Sequence, residues 1–302
     1  MSRNNEKTPH LVQYQGSKRL LASSILQYMP NTFERLVEPF SGMAAITIAV
    51  AQEKRASAYH INDINGPLVS LLKEVIISPE NLVLRYEKLW KEQFVFAEGH
   101  IQHFYKVRED FNNGDESPEK MLYLLARCVK GSVRYGKTGK FNQSPDKRRH
   151  GVNPKNIAKS AYSISCLLRD KSSFSSKDYR EIFEMVRPGD LIYIDPPYQG
   201  VTNTRDNRYF AGISYEDFVT AIDTLNKKSI DFLISYDGEC GGKSYGMELP
   251  KYLGCQKMLL NAGLSSQGTL LGKQQTTYEA LYISKNLQRY IRPRQLALDD
   301  VV

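Results

Sequence analysis

Short apolar strands alternate with helices near the start of this 302-residue sequence, and the alternation restricts the fold more than any other feature. A strand at 36–38 leads through a turn at 39–42 into an apolar helix at 43–52. A second strand at 58–61 precedes a helix at about 67–77. Strands that alternate with helices form parallel sheets covered by helices on both faces. We therefore predict an α/β fold built on an open parallel sheet.

A long segment interrupts this alternation. Apolar residues at helical spacing run through 79–111 and 121–129, and glycines are scattered through the residues that follow. Strand and helix signals then return at 190–194, 215–226, 231–235 and 278–284. We expect a discontinuous catalytic domain, 1–78 and 171–302, that encloses an inserted and mostly helical domain at 79–170.

Positive charge is concentrated in one part of this insertion. From Arg127 to Lys155 the chain carries nine basic residues and one acid, Asp146, so the stretch has the same net charge, +8, as the whole sequence. An ordinary solvated face mixes both signs, whereas a one-sign segment with interspersed glycines is typical of a hairpin or loop that binds a polyanion. Nucleic acid is the polyanion we expect, because neutralising its phosphates releases condensed counterions.

Seven residues of this basic segment are the expected nucleic-acid contacts: Arg134, Lys137, Lys140, Asn142, Lys147, Arg148 and Arg149. Arginine reads guanine and asparagine reads adenine through paired hydrogen bonds, so Arg134 and Asn142 are predicted to contact base edges. The basic run at 147–149 is predicted to contact phosphates.

The strongest local signal is the apolar strand 191–194, which runs directly into Asp195-Pro196-Pro197-Tyr198. Ligands of open α/β sheets bind just beyond the carboxyl ends of the strands, where this tetrapeptide falls. The alternative interpretation is a Pro-Pro turn with an incidental acid and aromatic ring.

These four residue types suit methylation of an exocyclic amine. The lone pair of adenine N6 is delocalised into the ring, so both N–H bonds must be engaged while the nitrogen becomes tetrahedral. Asp195 can accept one N–H and the carbonyl of Pro196 the other, and the two prolines hold that carbonyl in place. Tyr198 can stack on the target base, which must leave the duplex to be reached.

A second ligand motif follows the first strand, at Glu38-Pro39-Phe40-Ser41-Gly42. Its small residues let the turn approach a ligand closely, and Phe40 offers an apolar wall. Asp63, at the end of the second strand, is well placed to bind the ribose hydroxyls of a nucleoside cofactor. A dinucleotide-binding fold has a similar spacing of turn and acid, but the full G-x-G-x-x-G pattern is absent from the sequence.

Taken together, these motifs resemble those of the N6-adenine DNA methyltransferases that include the Dam enzymes. The similar elements are the N-terminal aromatic-x-G-x-K element at 14–18, the cofactor motif at 37–42, the ribose-binding motif at 62–65, parts of the DNA-recognition region at 104–112 and 139–142, and the catalytic motif at 195–198. Their linear order is that of the alpha group of the family. One departure is Met43-Ala44, where many relatives have a further glycine.

The resemblance implies a Rossmann-like sheet that binds S-adenosylmethionine and site-specific methylation of adenine N6 in double-stranded DNA, with base flipping. By resemblance the cofactor pocket is lined by Tyr14, Lys18, Phe40, Asp63 and Asp195, with Glu38, Ser41 and Gly42 from the cofactor motif. The other interpretation of Lys18 is a surface lysine at the start of a helix. Functional pairing with a restriction endonuclease is left open.

Several classes of protein and site are disfavoured by the sequence. No apolar run approaches the roughly 18 residues that span a bilayer, and the segment 1–7 lacks the apolar region of a signal peptide, so we expect a cytoplasmic protein without a membrane partner. The four cysteines have no C-x-x-C spacing, and His100 and His103 lack a second ligand pair, so we expect no metal.

Three functional alternatives stay open at this point. An N4-cytosine methyltransferase needs the same amine-activating geometry, an RNA methyltransferase would keep the same catalytic domain, and a DNA-binding regulator would keep the fold without turnover. Tyr236-Asp237, at the end of a predicted strand, would either hold the target base or serve as a polar strand end.

Overall fold

The structure is a computed structural model that describes residues 8–197, 213–240, 243–244, 247–264 and 276–290. Its strands are β1 (Phe33–Glu38), β2 (Ala56–Asn62), β3 (Ser172–Ser175), β4 (Asp190–Ile194), β5 (Asp231–Cys240), β6 (Lys243–Ser244), β7 (Gln256–Leu264) and β8 (Thr276–Ile283). Its α-helices are α1 (Ala22–Leu26), α2 (Ala45–Gln52), α3 (Gly66–Ile77), α4 (Pro79–Glu92), α5 (Gly99–Asn112), α6 (Pro118–Arg127), α7 (Pro154–Leu168), α8 (Tyr179–Met185) and α9 (Tyr215–Lys227).

The strands form one sheet in the order β3-β2-β1-β4-β5-β8-β7, with β6 paired to β5. The pairs among β1 to β5 are parallel, whereas β8 runs antiparallel to both β5 and β7. The predicted α/β fold with an open parallel sheet is confirmed, and an antiparallel extension completes it. The chain reverses its direction across the sheet between β1 and β4, and ligands bind at such a switch point in doubly wound folds.

Both faces of the central strands are buried, which explains their apolar runs. All five residues of β4 are buried. Because successive side chains of a strand point to opposite faces, Leu191 and Tyr193 lie in one apolar cluster and Ile192 and Ile194 in the other. The second cluster also contains residues of α8 and α9, such as Phe183 and Phe218. Packing on both faces therefore holds the carboxyl end of β4 rigidly.

The inserted helices share a core with the first face of the sheet. The cluster that contains Leu191 extends to Phe104 of α5 and Leu168 of α7. Helix α7 is tied to α3 by a hydrogen bond from the Ser165 hydroxyl to the Ile76 carbonyl, 2.7 Å long. The division into a catalytic domain and an inserted domain therefore stays a prediction. Among the described residues, no helix is both long and apolar enough to cross a bilayer.

Candidate active site and nucleic-acid interface

A cavity of about 350 Å³ opens at the carboxyl ends of β1, β2 and β4. Its lining includes all eight residues predicted to bind the cofactor: Tyr14, Lys18, Glu38, Phe40, Ser41, Gly42, Asp63 and Asp195. Pro196 and Pro197 of the predicted catalytic motif also line it. Residues as far apart in the sequence as Tyr14 and Pro197, 183 positions, thus meet around one space, because the parallel strands end at the same edge of the sheet.

Asp195 lies at the end of β4 and is held by a buried lysine. Nζ of Lys18 is 2.8 Å from Oδ1 of Asp195 and 3.2 Å from Oε1 of Glu279 on β8, and Lys18 is only 6% exposed. The interpretation of Lys18 as a surface lysine is therefore wrong. No described residue forms a hydrogen bond or ion pair with the second carboxylate oxygen of Asp195, whose side chain is 20% exposed. One oxygen is anchored, and the other is open to a ligand.

The charge state of Asp195 is set by opposing influences. Burial raises the pKa of its carboxyl group, the nearby Lys18 ammonium lowers it, and the Glu279 carboxylate raises it again. The net effect is a pKa above the ordinary value for aspartate. Beneath the site, the hydroxyl groups of Tyr193 and Ser235 are 2.6 Å apart, which links β4 to β5 and stiffens the floor of the cavity.

Asp63 connects the end of β2 to the turn after β1. Its Oδ2 accepts a hydrogen bond from the backbone N–H of Gly42, and its Oδ1 accepts one from that of Asn65, each 2.9 Å long. Burial raises the pKa of Asp63, and these two hydrogen bonds oppose the rise. Asp63 therefore supports the turn itself, in addition to any contact with a ligand.

Glycine is required at position 42 by both backbone angle and space. Gly42 has a φ of +50°, and a Cβ atom built there would lie 3.0 Å from the ring of Tyr14. A side chain would strain the backbone and press on Tyr14. The turn therefore passes close to the N-terminal segment that carries Lys18, and this close approach shapes the cavity.

Glu38 is fully buried between the turn and α2. The backbone N–H of Thr47 donates to Oε2 of Glu38 at 3.2 Å, and the Thr47 hydroxyl donates to the same oxygen at 2.5 Å. Burial raises the pKa of Glu38 to about 8, and the nearby Asp195 carboxylate adds to the rise. At neutral pH this side chain is mostly an uncharged acid.

Sequence reasoning missed part of the cavity wall, which the loop between β3 and α8 and the first residue of α8 supply. Lys177, Asp178 and Tyr179 line the cavity, and the rings of Tyr179 and Phe40 lie 5.3 Å apart. The Asp178 carboxylate caps α8 by accepting from the N–H of Arg180 at 2.9 Å. An aspartate directly before a helical pattern is an N-cap signal, so this helix start could have been found.

The predicted basic hairpin lies between α6 and α7. Tyr135 and Phe141 pair across it as an antiparallel bridge, and the N–H of Asn142 donates to the Arg134 carbonyl at 2.9 Å. Phe141 is buried, and its backbone exchanges two hydrogen bonds with the side chain of Asn112 at the end of α5, 2.8 and 3.0 Å long. The two segments assigned by resemblance to DNA recognition, 104–112 and 139–142, are therefore in direct contact.

The same hairpin reaches the cavity. Val133 and Tyr135 line it, and the Tyr135 hydroxyl donates to Oδ1 of Asn65 at 3.3 Å. Nearby, a Cβ atom at Gly131 would lie only 1.8 Å from the Gln13 carbonyl, so this part of the insertion packs directly against the N-terminal segment. The surface expected to bind DNA and the cavity expected to bind the cofactor share a wall.

Comparison with known proteins agrees with this geometry. Residues 14–258 match the family described as D12 class N6 adenine-specific DNA methyltransferase, over most of the chain. The chain belongs to that family. The sequence resemblance to N6-adenine DNA methyltransferases is thereby confirmed.

Named relatives of this methyltransferase come from several bacteria. It is 28% identical to the Retron Ec67 DNA adenine methylase of Escherichia coli over 66% of its own length and 69% of that protein. It is 27% identical to the type II methyltransferase M1.LlaDCHI of Lactococcus lactis subsp. cremoris, with 74% and 79% of the two chains covered. It is 26% identical to the DNA adenine methylase of Serratia marcescens, with 66% and 70% covered.

The basic residues of the methyltransferase are not all available to DNA. The seven predicted DNA contacts are all exposed, as are Lys130 and Lys155. Arg127 is different: it is fully buried, and its guanidinium donates to the carbonyls of Asp146 and His100 at 3.1 and 3.3 Å. Counting Arg127 as part of a DNA-binding surface was therefore wrong. It ties the loop after the hairpin to α5.

The structure tests the predictions for Tyr198, for Tyr236-Asp237 and for a metal site only in part. Tyr198 and the side chain of Asp237 lie outside the described residues. Tyr236 is buried, and its ring stacks on that of Phe218 with the ring centroids 5.6 Å apart. Among the described residues, no group of three His, Cys, Asp or Glu side chains could hold a metal ion. His103 instead pairs with the Tyr123 hydroxyl at 2.9 Å.

Proposed function

We propose that this methyltransferase transfers the methyl group of S-adenosylmethionine to N6 of an adenine flipped out of double-stranded DNA. The observation that carries the proposal is Asp195, which has one oxygen fixed by Lys18 and the other open to the cavity. That arrangement suits a carboxylate whose task is to accept a hydrogen bond from an incoming amine.

The cavity fits the proposed cofactor. Its volume of about 350 Å³ lies within the range of small-molecule sites, and its wall combines the rings of Phe40 and Tyr179 with the acids Asp63 and Asp195. S-Adenosylmethionine would supply an activated methyl group carried on a cationic sulfur. Asp63 would bind the ribose hydroxyls, Phe40 and Tyr179 would form apolar contacts, and the Gly42 turn would lie close to the ligand.

The catalytic residues would act on the target amine. The open oxygen of Asp195 would accept one N–H of adenine N6, and the Pro196 carbonyl would accept the other, which directs the nitrogen lone pair at the methyl donor. Pro196 and Pro197 have fixed φ angles, so little reorganisation is needed. Tyr198 would stack on the flipped base, since enzymes that modify a base take it out of the stack.

The exposed hairpin would hold the duplex. Arg134 and Asn142 would contact base edges, and Lys137, Lys140 and 147–149 would contact the backbone. A relative is named a type II methyltransferase, and on that basis we propose that a restriction endonuclease is a functional partner. The expected cytoplasmic location and the expected lack of a metal stay predictions.

The decisive experiment is to incubate the purified protein with S-adenosylmethionine and duplex DNA and to analyse the nucleosides by mass spectrometry. N6-methyladenine is the expected product, and Asp195→Ala should reduce its formation at least 100-fold, because a transition-state hydrogen-bond acceptor is removed. Asp223→Ala, which removes a partly exposed carboxylate of α9, is the matched control. N4-methylcytosine, or methylated RNA with unmodified DNA, would overturn the proposal.

A further inference from the structure

A second acid shares the buried lysine that holds Asp195, and the sequence motifs do not include it. Glu279 is on β8, at the antiparallel extension of the sheet, and its side chain is 14% exposed. Its Oε1 is 3.2 Å from Nζ of Lys18, but this buried oxygen accepts no hydrogen bond among the described residues. The contact between Lys18 and Glu279 is therefore one of charge.

Lys18 is the positive centre of this group. Its ammonium has three donors, and it contacts Asp195 at 2.8 Å, Glu279 at 3.2 Å and the Gly16 carbonyl at 3.4 Å. Two carboxylates share one ammonium, so the ionised triad carries one net negative charge. With Glu279 absent, Asp195 would no longer share the positive charge of Lys18 with this second carboxylate.

We infer that Glu279 is a positioning residue of the methyl-transfer site, which shares the positive charge of Lys18 with Asp195 and so keeps one net negative charge on these three groups beside the reacting atoms. The inference rests on the proposed function. Asp195 then remains a good acceptor for the target amine, since Lys18 does not fully neutralise it. A net negative site also favours a cationic methyl donor over an uncharged product.

Four charged or titratable groups face Asp195 among the residues that the structure describes. Lys18 comes from the N-terminal segment, Glu279 from β8, Glu38 from β1 and Tyr193 from β4. Glu38 and Tyr193 have raised pKa values because they are buried, so both are mostly uncharged near pH 7. Among the described residues, Lys18 and Glu279 are therefore the neighbours whose charge acts on Asp195.

The test compares Glu279→Gln and Lys18→Met with the native enzyme in two measurements. The first is the acid limb of the kcat profile against pH, which reports protonation of Asp195. Glu279→Gln removes a negative neighbour and should move this limb to lower pH by about one unit, whereas Lys18→Met should move it to higher pH. The glutamine keeps the shape of the side chain, so a purely structural role would leave the limb in place.

The second measurement needs no turnover. Sinefungin carries a positive charge where S-adenosylhomocysteine has a neutral sulfur, so calorimetric titration with both ligands reports the local charge. Glu279→Gln should weaken sinefungin binding about fivefold and change S-adenosylhomocysteine binding less than twofold. Should the variant lose affinity for both ligands equally, or keep the native acid limb, the inference is wrong.

Two controls separate this inference from the proposed function and from misfolding. If the native enzyme methylates no adenine, the proposed function fails, whatever the ligand titrations show. If Glu279→Gln does not fold, Glu279→Met takes its place, since it also removes the charge and should give the same shift of the acid limb and the same loss of sinefungin affinity. Glu279→Asp is the matched control, because it keeps the charge and should keep the native acid limb and the native preference between the two ligands. A shift of the limb in Glu279→Asp would also overturn the inference.

Discussion

Carboxyl groups at the ends of neighbouring strands have different surroundings in this site, and these surroundings determine what each one does. Asp195 follows β4 beside an ammonium, Asp63 follows β2 beside two backbone N–H groups, and Glu38 ends β1 in a buried position beside Thr47. The first is suited to remain ionised, the second to fix a turn, and the third to be protonated. Residue type alone does not distinguish these roles.

For Asp63→Ala we expect two separable effects. Loss of the proposed ribose contact should raise the KM for S-adenosylmethionine about tenfold with little change in kcat, because those hydroxyls do not change during transfer. Loss of the hydrogen bonds to Gly42 and Asn65 should lower the free energy of unfolding by about 2 kcal/mol. Kinetics at several cofactor concentrations and urea denaturation measure the two effects. A kcat that saturating cofactor fails to restore would contradict the ribose role.

Glu38 predicts a dependence of stability on pH. Its folded pKa of about 8 exceeds the ordinary value of 4.5, so the folded protein binds this proton more tightly than the unfolded chain does. The stabilisation is therefore complete below pH 4.5 and is lost as pH rises through 8, with a total loss on the order of 5 kcal/mol. Glu38→Gln cannot ionise, so its stability relative to the native protein should improve from pH 5 to pH 9 in urea titrations. A constant difference would contradict the assignment.

At the scale of elements, the strands with continuous apolar runs were predictable and the others were not. The sequence predicts β4 at its observed bounds, Asp190–Ile194, because all of its residues are buried. In contrast, β3 (Ser172–Ser175) is a short, half-buried edge strand of three serines and a phenylalanine, which has little apolar signal. The helical pattern over 79–111 is two helices, α4 and α5. Periodicity within each helix does not reveal the break between them.

The candidate site, like the strands, has residues that local sequence patterns predict and residues that they do not. The residues in local motifs, such as Asp195 and Gly42, were found because each motif lies directly beyond a recognisable strand. Glu279 was missed because its position depends on β8 inserting between β5 and β7, a long-range pairing that no local pattern reports. The burial of Lys18 was also not predictable, since it follows from ion pairs with two residues more than 170 positions away.

The hairpin depends on an anchor in another element. Asn112→Ala removes both hydrogen bonds from α5 to the backbone of Phe141, so the hairpin should be ordered less often. We expect duplex affinity to fall about tenfold for all sequences, which corresponds to the loss of one or two hydrogen bonds, with a smaller effect on S-adenosylhomocysteine binding. Asn113→Ala, at the exposed neighbouring position, is the control. Equal effects of the two variants in fluorescence titrations would contradict the anchor role.

Over the whole molecule, positive charge and ligand cavity occupy adjoining regions. The basic segment 127–155 alone carries a net charge of +8, equal to that of the whole sequence. Most of its basic residues are exposed on or near the hairpin, and Val133 and Tyr135 of the same hairpin line the cavity. In the proposed function, such an arrangement would attract a polyanion towards the site at long range and position it through short-range contacts. Arg127 takes part in neither, because it is buried.

Two variants separate attraction from sequence reading. Replacing Lys147, Arg148 and Arg149 together by alanine should weaken binding to every duplex and reduce the salt slope by about one unit for each phosphate that is no longer neutralised. Arg134→Ala should cost about 1–3 kcal/mol on the recognised sequence and much less elsewhere. Both are measured by titrating cognate and scrambled duplexes at several salt concentrations. Should the triple variant weaken only cognate binding, the two roles are reversed.

The shared wall formed by Val133 and Tyr135 also has a pharmacological consequence. A small molecule that fills the cavity and extends past Asn65 would displace Tyr135, and with it the base of the hairpin. Such a compound would block the proposed cofactor pocket and distort the proposed DNA-binding surface at once. Raising the cofactor concentration would then relieve only part of the inhibition, and the contact with Tyr135 would offer a basis for selectivity over enzymes that share only the nucleoside pocket.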